Sequence, residues 1–371
     1  MKSGKLQFSL MDIFGTICLL SGFLYCFVCR AFCSGQGMRI KGFLVVYCLT
    51  TGIACALLPS YGMADPVVIQ QKLQAIPDNS DDALVVFATD GSVIRGDDAL
   101  DLMQSNKTDL NVWLGGRHFF GIKAVIRAWQ KRYGGTVGLI TLPSKRIAGG
   151  IVDGGWIYRG RSFSMRPDVF GMTRTREIRK LKDAGLATVN VTYAHNELAL
   201  IVAKGNPKHI HRIEDLARHN LHIMLPNPVD ERIMKVYARK MLERFHLWKR
   251  LSGGKDCAAC QAGHGVYFTS AHDLEIPEGI RNGRADVGLL WLTECQNALG
   301  HRFNVSVVRL PPAQSLRGEL SYIAAEGSAI RHPAAARQFL KFLGSQEAQS
   351  ILTRHGYIGA DKWELKIRKI K

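Results

Sequence analysis

The sequence predicts an α/β protein with mainly parallel sheets, and two observations support this fold class. Short, continuously apolar runs recur along the chain, as is typical of strands buried on both faces of a sheet. Stretches with apolar residues at helical spacing separate these runs, so strands and helices alternate. In residues 276–293, a helix that begins near Pro277 leads into the apolar run 285–292. Ligands of open α/β sheets bind at the carboxyl ends of such strands, although an ordinary αβ unit has the same pattern.

Residues 38–64 have the three parts of a secretory signal peptide. They begin with basic residues, continue with the apolar stretch 43–58 and end with small residues at Gly62 and Ala64, where a signal peptidase cuts. We therefore predict export to the periplasm, with a mature chain that begins at Asp65.

A second apolar stretch, residues 7–29, precedes this signal and is long enough to span a bilayer. It is a mis-assigned start, an extra membrane anchor or a long amino-terminal region of the signal. We favour the mis-assigned start, because a complete signal follows. Lipid attachment at Cys55 is less favoured, since apolar sequence continues beyond this cysteine.

The first half of the mature chain contains four predicted strands and two predicted helices after a polar lead-in at residues 65–83. The apolar run 84–88 predicts the first strand, which ends in the turn-forming residues Thr89, Asp90, Gly91 and Ser92. Apolar residues at helical spacing indicate a helix over 119–133. The other predictions are strands at 136–142 and 166–172, a short strand at 110–114 in an otherwise undecided segment, and a basic helix at 174–185 that ends in glycine.

The second half continues the alternation. Its most apolar strand spans 197–203, followed by a turn at residues 204–207. The other predicted strands are 221–225, 305–310 and 320–325, and the predicted helices are 213–217, 232–245, 332–343 and 347–355.

The chain carries 49 basic and 31 acidic residues, a formal net charge of +18. A positive balance attracts anions and anionic surfaces. The basic residues are scattered and do not interleave with aromatic residues, so we do not expect nucleic-acid binding. No nucleophile–base pair, phosphate loop or zinc motif occurs at diagnostic spacing, so we expect neither an enzyme nor a cofactor.

Six of the nine cysteines lie before Asp65, and the mature chain keeps Cys257, Cys260 and Cys295. In an oxidising compartment, Cys257 and Cys260 can close a disulfide, or one of them can pair with Cys295. A metal site that uses Cys257, Cys260 and His264 is the less favoured alternative, because three ligands in a glycine-rich loop are weak evidence.

Five segments occur in an order that is typical of one protein family. They are residues 166–170 (R-P-D-V-F), 193–207, 213–217, 280–288 and 332–357. Together they resemble the periplasmic solute-binding proteins of bacterial ABC transporters, in particular the molybdate- and tungstate-type branch. The resemblance covers roughly residues 84–361.

This resemblance implies the type II periplasmic binding fold, in which two lobes joined by crossing strands close over a solute. The first lobe would contain residues 84–192 and 308–371, and the second residues 193–307. The chain would be a monomer that delivers a small oxyanion, such as molybdate or tungstate, to an ABC permease in the inner membrane.

The resemblance also implies which loops hold the solute. In this family, backbone amides, hydroxyl groups and helix amino termini hold the oxyanion, which suits the unpaired N–H groups and the dipole of a helix start. Carried onto this sequence, the loops are Thr89-Asp90-Gly91-Ser92, Pro143-Ser144 beside Lys145, and Asn227-Pro228-Val229, and Trp291 stands where the family often has tyrosine.

Asp90, Glu231 and His272 depart from the family's pattern near the expected cleft. A carboxylate beside an oxyanion is repulsive unless it is turned away. These residues complete a metal centre, bind a cationic solute with Glu231 and His272 as ligands, or cap helices and face solvent. The alternatives to an oxyanion importer are therefore a binding protein for a metal ion or a small organic anion, and a secreted accessory or sensory protein that reuses the fold.

Overall fold

The computed structural model describes residues 73–76, 81–115, 119–173, 175–270 and 274–370. The chain divides between Val67 and Val68, and all the described residues belong to the second unit, Val68–Lys371. The predicted signal segment lies outside the described residues. None of the described helices is both long and apolar enough to cross a bilayer.

Strands and helices alternate in the first half of the described chain, as predicted. The strands are β1 (Gln74–Ile76), β2 (Leu84–Phe87), β3 (Val93–Arg95), β4 (Leu110–Gly115), β5 (Val137–Leu142), β6 (Gly155–Tyr158), β7 (Arg161–Ser164) and β8 (Val169–Met172). The helices are α1 (Gly96–Gln104), α2 (Phe119–Tyr133), α3 (Ser144–Asp153) and α4 (Thr175–Asp183).

The second half contains the remaining elements. The strands are β9 (Ala187–Asn196), β10 (Leu198–Ala203), β11 (Ile223–Leu225), β12 (Cys260–Gln261), β13 (Val266–Phe268), β14 (Val287–Trp291), β15 (Val305–Arg309), β16 (Leu320–Gly327), β17 (Ile358–Gly359) and β18 (Arg368–Lys369). The helices are α5 (Arg239–Arg244), which follows a π-helical turn at Ile233–Ala238, α6 (Trp248–Ser252), α7 (Glu275–Arg281), α8 (Leu292–Gly300), α9 (Pro312–Ser315), α10 (Pro333–Leu343) and α11 (Gln346–Arg354).

Two large sheets form the cores of two lobes. The first sheet has the order β17-β9-β16-β8-β4-β5-β2-β3, with β18 also paired to β9, and the second has the order β12-β13-β11-β14-β10-β15. Within the described part of these two sheets, parallel pairing is limited to β4 with β5 and β8, and to β11 with β13 and β14. Each sheet is therefore mixed rather than mainly parallel. The sequence did not reveal this, because an apolar run indicates burial on both faces but does not encode the direction of the neighbouring strands.

The two lobes are joined by two connections. Only Glu197 separates β9 of the first sheet from β10 of the second, and the chain returns between Arg309 and Leu320 through α9. Residues 193–196, which we assigned to the second lobe, continue β9 in the first sheet. The lead-in also contributes β1, which pairs with β6 in a small three-stranded sheet.

Helix α2 shows how the helical spacing becomes packing. Ile122, Val125, Ile126 and Trp129 are all at most 2% exposed, because they form the one stripe that faces the sheet. The segment before the predicted strand 110–114, which the sequence left undecided, contains α1, and the buried positions of α1 and α3 are also spaced by about three or four residues.

Candidate binding site between the lobes

A cavity of about 240 Å³ lies between the lobes. The first lobe lines it with Pro143, Ser144, Lys145, Thr173, Leu320 and Tyr322. The second lobe lines it with Glu231, Arg232, Ile233, Tyr237 and Trp291. The cavity therefore contains four of the residues predicted for the site, namely Pro143, Ser144, Glu231 and Trp291.

The amino end of α3 forms one wall. β5 ends at Leu142, Pro143 turns the chain, and the helix begins at Ser144. The Pro143 carbonyl accepts hydrogen bonds from the N–H groups of Arg146 (2.8 Å) and Ile147 (3.1 Å), and the N–H groups of Ser144 and Lys145 take no part in these bonds. These two amides have no hydrogen-bond partner among the described residues, and together with the helix dipole they favour an anion at this position.

The end of β4 presses against this helix start. β4 and β5 run parallel with Gly115 opposite Leu142. A Cβ atom on Gly115 would lie 2.6 Å from Ser144 Cα and 2.9 Å from Ser144 Oγ, so glycine is required for this approach. The role of Gly115 was not predicted, although the glycine pair after the apolar run 110–114 was a signal for it. Residues 116–118 lie outside the described part of the chain.

On the second lobe, Asn227 organises the chain that leads to Glu231. Its side-chain oxygen accepts hydrogen bonds from the N–H groups of Val229 (3.0 Å) and Asp230 (2.7 Å). Its own N–H donates to Glu231 Oε1 (3.0 Å), which also accepts a hydrogen bond from the Thr269 hydroxyl. The Glu231 carboxylate is thus held by the protein even though it lines the cavity.

Asn227 itself is fully buried behind this wall. Its Nδ2 group has no hydrogen-bond partner among the described residues. Asn227 does not line the cavity, and Val229 is 42% exposed outside it. None of the three residues of the predicted third loop therefore lines the cavity, whereas Glu231, two residues further along the chain, does.

An aromatic corner completes the second-lobe wall. The Trp291 and Tyr237 rings meet edge to face with centroids 5.3 Å apart. The backbone N–H of Trp291 donates to Glu294 Oε2 (3.1 Å), and this hydrogen bond fixes Trp291 at the start of α8. The position of Tyr237 at the cavity was not predicted, because Tyr237 is one of several apolar residues on a predicted amphipathic helix.

The cavity is connected to the crossing strand through Tyr322. The Asn196 side-chain amide donates to the Tyr322 hydroxyl (2.9 Å) and to the Thr293 hydroxyl (3.0 Å). Tyr322 belongs to β16 of the first lobe and Thr293 to α8 of the second. One buried amide at the end of β9 therefore links both lobes beside the cavity.

The charges of the lining favour an anion. Lys145 of the first lobe and Arg232 of the second are both exposed at the cavity, and Arg232 donates to the Tyr237 hydroxyl (3.3 Å). None of the ion pairs within the described residues involves either cation. Glu231 is the one carboxylate in the described lining, and its Oε1 is occupied as above.

The predicted first loop, Thr89–Ser92, does not reach this cavity. β2 runs antiparallel to β5 and places Phe87 opposite Val137, at the start of β5, whereas Ser144 follows the end of β5. The loop is the turn of a hairpin at the far end of the sheet. The structure thus places the predicted first loop away from the cavity, because β2 pairs antiparallel to β5 in a sheet that was predicted to be mainly parallel.

In that turn, Asp90 has a local role. Its carboxylate accepts hydrogen bonds from Ser92, which lower the pKa of Asp90. Arg127 donates to the Ala88 and Gly91 carbonyls and holds the turn on α2. The turn is therefore explained without a ligand.

The remaining predicted residues are His272 and the three cysteines of the mature chain. His272 is outside the described residues. Cys257 and Cys260 are joined by a disulfide, and Cys295 is a free, buried thiol whose pKa is raised by burial and by Glu294. The described residues contain no group of three metal-ligating side chains.

A comparison with protein families decides the class. The family of bacterial extracellular solute-binding proteins matches residues 110–358. The chain belongs to this family. Membership confirms the resemblance, and it confirms the prediction of a solute-binding protein rather than an enzyme.

Individual members are related at low identity. The molybdate-binding protein ModA of Mycobacterium tuberculosis is 24% identical over 195 residues, which is 51% of this chain and 65% of that protein. The chain thus matches somewhat less than two thirds of this relative's length.

Solved structures show the two-lobed fold. The substrate-binding domain of a putative molybdenum ABC transporter from Clostridium difficile superposes with a TM-score of 0.54 at 18% identity, covering 68% of this chain and 99% of that chain. The periplasmic molybdate-binding protein of Azotobacter vinelandii gives a TM-score of 0.50 at 19% identity, covering 68% of this chain and 100% of that chain. At these identities the likeness shows the fold alone.

Proposed function

We propose that this solute-binding protein is the periplasmic component of an ABC importer and that it binds a small oxyanion, such as molybdate or tungstate, in the cavity between the lobes. The amino end of α3 carries the proposal. Its first N–H groups, which have no partner in the described part of the chain, and the Ser144 hydroxyl share the cavity with Lys145 and Arg232. Such donors bind an oxyanion without requiring a metal.

The size of the cavity supports a small solute. Its volume of about 240 Å³ is below the roughly 300–1,000 Å³ of pockets that hold drug-sized ligands. The hydroxyl groups of Ser144 and Thr173 supply donors on the first-lobe side. The sequence of residues 38–64 supports export, and the likeness to the substrate-binding domain of a putative molybdenum ABC transporter supports delivery to a permease.

A small organic anion is the second candidate, and the apolar lining favours it. Ile233, Tyr237, Trp291, Leu320 and Tyr322 surround much of the cavity. Apolar walls suit a carbon skeleton better than a bare oxyanion, while the same cations would hold its carboxylate. A metal ion is less supported, since Glu231 already accepts two hydrogen bonds through Oε1.

Thermal unfolding with a panel of solutes tests the proposal. The panel contains molybdate, tungstate, sulfate, phosphate, small carboxylates and divalent metals. A ligand that binds the folded state alone adds about 4 kcal/mol of stability at a thousandfold excess over its dissociation constant. We expect a shift with molybdate or tungstate that Ser144→Ala reduces and that Ser162→Ala, on the exposed strand β7, leaves intact.

The other outcomes separate the candidates. A shift with carboxylates alone would replace the oxyanion by the organic anion. A shift with divalent metals alone, lost in Glu231→Gln, would contradict both anion candidates. An oxyanion shift that Ser144→Ala leaves unchanged would show that α3 does not hold the ligand.

A further inference from the structure

A second cavity of about 240 Å³, here called the hinge groove, is also lined by both lobes. The second lobe contributes Leu292 and Gln296 of α8, and the return connection contributes Arg309 and Arg317. The first lobe contributes Thr353, Gly356, Tyr357, Ile358 and Gly359 from the end of α11 and from β17. Nothing in the solute-binding role described above uses this groove.

A thin wall separates the hinge groove from the cavity between the lobes. Trp291 lines the cavity, and the next residue, Leu292, lines the groove. Tyr322 lines the cavity and Tyr357 lines the groove, and their rings pack edge to face with centroids 4.9 Å apart. A change in the position of α8 or of the Tyr322 ring therefore affects both spaces.

The lobes are in direct contact at the groove. Gly356 has a φ of +84°, and a Cβ atom there would lie 2.8 Å from both the Leu292 carbonyl oxygen and Gln296 Cγ. Glycine permits this approach between the end of α11 and the start of α8. Rotation of one lobe against the other must change this contact, and with it the width of the groove.

The groove is positively charged. Its lining includes two guanidinium groups and, among the described residues, no carboxylate. Arg309 donates through Nε (2.9 Å) and Nη2 (2.5 Å) to Glu197 Oε1, which balances one of the two charges. Arg317 is exposed and makes no hydrogen bond or ion pair with the described residues. Arg317 thus leaves one net positive charge beside the Gln296 amide and the Thr353 hydroxyl.

A neighbouring cavity of about 190 Å³ limits where an anion can sit. It shares Arg317 with the groove but is also lined by Asp361 and Glu364. Glu364 Oε2 lies 2.9 Å from His195 Nε2 and accepts a hydrogen bond from the Asp361 N–H (2.9 Å). An anion would be repelled on that side, so the favourable position is towards Gln296.

We propose that the hinge groove is a second anion site, which takes a small molecule with a carboxylate or phosphate group on Arg317 and Arg309. The planar guanidinium fork matches the oxygen geometry of both groups. Because both lobes line the groove, its ligand binds the different lobe arrangements unequally. Occupancy of the groove and of the cavity between the lobes is therefore linked, and the linkage acts equally in both directions.

Calorimetric titration with inorganic phosphate tests the site in the purified protein. The variants are Arg317→Gln and, as a matched control, Arg284→Gln, an exposed arginine outside every cavity described here. We expect the wild type and Arg284→Gln to bind phosphate with equal affinity. The affinity of Arg317→Gln should be at least about tenfold lower, since a charged hydrogen bond is lost. Equal binding by Arg317→Gln and Arg284→Gln would overturn the proposal.

Phosphate could instead bind in the cavity between the lobes, and Ser144→Ala distinguishes the two places. Loss of phosphate binding in Ser144→Ala but not in Arg317→Gln would also overturn the hinge groove. Thermal shifts with the solute panel in Arg317→Gln test the cavity between the lobes separately. The proposed oxyanion importer can therefore be rejected without rejecting the anion site in the hinge groove.

The linkage has its own readout. Wild-type affinity for phosphate should change at least about threefold when the solute that shifts the melting temperature is saturating. An affinity that stays the same with and without that solute would contradict the linkage.

Discussion

Ser144 Cα lies 2.6 Å from the point that a Cβ atom on Gly115 would occupy. The carboxyl end of β4 and the amino end of α3 are thus in contact through a residue without a side chain. The N–H groups that we assign to the solute begin at this contact. Their position depends on how closely β4 approaches.

Replacement of Gly115 by alanine should therefore move α3 and weaken binding. The obstacle is backbone rather than a flexible side chain, so we expect a loss of about 1–3 kcal/mol in stability, as for overpacked cores. Solute affinity should fall about tenfold or more. Calorimetry and urea unfolding measure the two effects.

Gly300→Ala is the control for this variant. A Cβ atom on Gly300, at the end of α8, would meet nothing within 4 Å. It should leave affinity unchanged and stability equal or slightly higher, because alanine favours a helix. Equal affinity of Gly115→Ala and the wild type would mean that α3 does not depend on this approach.

Lys145 and Arg232 should contribute to solute affinity in a salt-dependent way. Both are exposed, so each substitution by glutamine should weaken binding only about two- to fivefold at 0.15 M salt, and more at 0.01 M. Lys208→Gln, an exposed lysine in a turn away from the cavity, is the control. Titrations at the two salt concentrations check this, and an equal effect of all three variants would indicate only a general charge effect.

Local patterns predicted most elements of the fold. The spacing of Ile122, Val125, Ile126 and Trp129 predicted α2, and the apolar run 197–203 predicted β10. These signals are local, since burial of one face or of both faces determines which side chains can stand there. Strand direction is a property of pairs of distant segments, which explains why the central parallel pairs were not distinguished from the antiparallel strands around them.

The site shows the same division. Ser144 and Trp291 line the cavity and were predicted from the family resemblance, whereas Glu231 was singled out because it departs from the family's pattern. The Thr89 turn was misplaced because the antiparallel pairing of β2 sends it to the opposite end of the sheet from Ser144. Tyr237, Tyr322 and Thr173 reach the cavity only through the packing of the lobes, which no sequence spacing reveals.

Asp168 should be important for stability rather than for binding. This carboxylate is 1% exposed and accepts hydrogen bonds from the N–H groups of Asn111 (2.8 Å), Arg331 (2.8 Å) and His332 (2.9 Å). The His332 ring lies 2.9 Å from it through Nδ1. The Asp168 carboxylate thereby joins β4, β8 and the start of α10.

Asp168→Asn replaces an acceptor of several bonds by a group that also donates, so at least one N–H loses its partner. We expect a loss of roughly 1.5–3 kcal/mol in urea unfolding, in the range of a hydrogen bond to a charged group. Asp183→Asn, at the end of α4 with a 71% exposed side chain, should have little effect. Solute affinity of folded Asp168→Asn should stay near the wild-type value; a large loss of affinity at normal stability would instead place Asp168 in the binding mechanism.

Cys295 should react with thiol reagents only in unfolded protein. Burial and Glu294 raise the pKa of this thiol well above its usual value, and its side chain is inaccessible. We expect the peptide that contains Cys295 to be unlabelled by a maleimide in native protein and labelled in denaturant, as read by mass spectrometry. The peptide with Cys257 and Cys260 should require a reductant as well, and labelling without one would contradict their disulfide.

The stability of the fold should fall in acid partly through His355. Burial, followed by the charge of Arg354, lowers the pKa of His355 in the folded state. The folded state therefore favours the neutral ring, so this contribution is fully present above the unfolded pKa of about 6.5 and is lost as the pH falls through the lower, folded value. His355→Gln, which has no such proton, should lose less stability than the wild type between pH 7.5 and pH 5. Urea midpoints at the two pH values measure this, with His211→Gln on an exposed connection as the control; an equal decrease in all three proteins would exclude His355 as a source of the pH dependence.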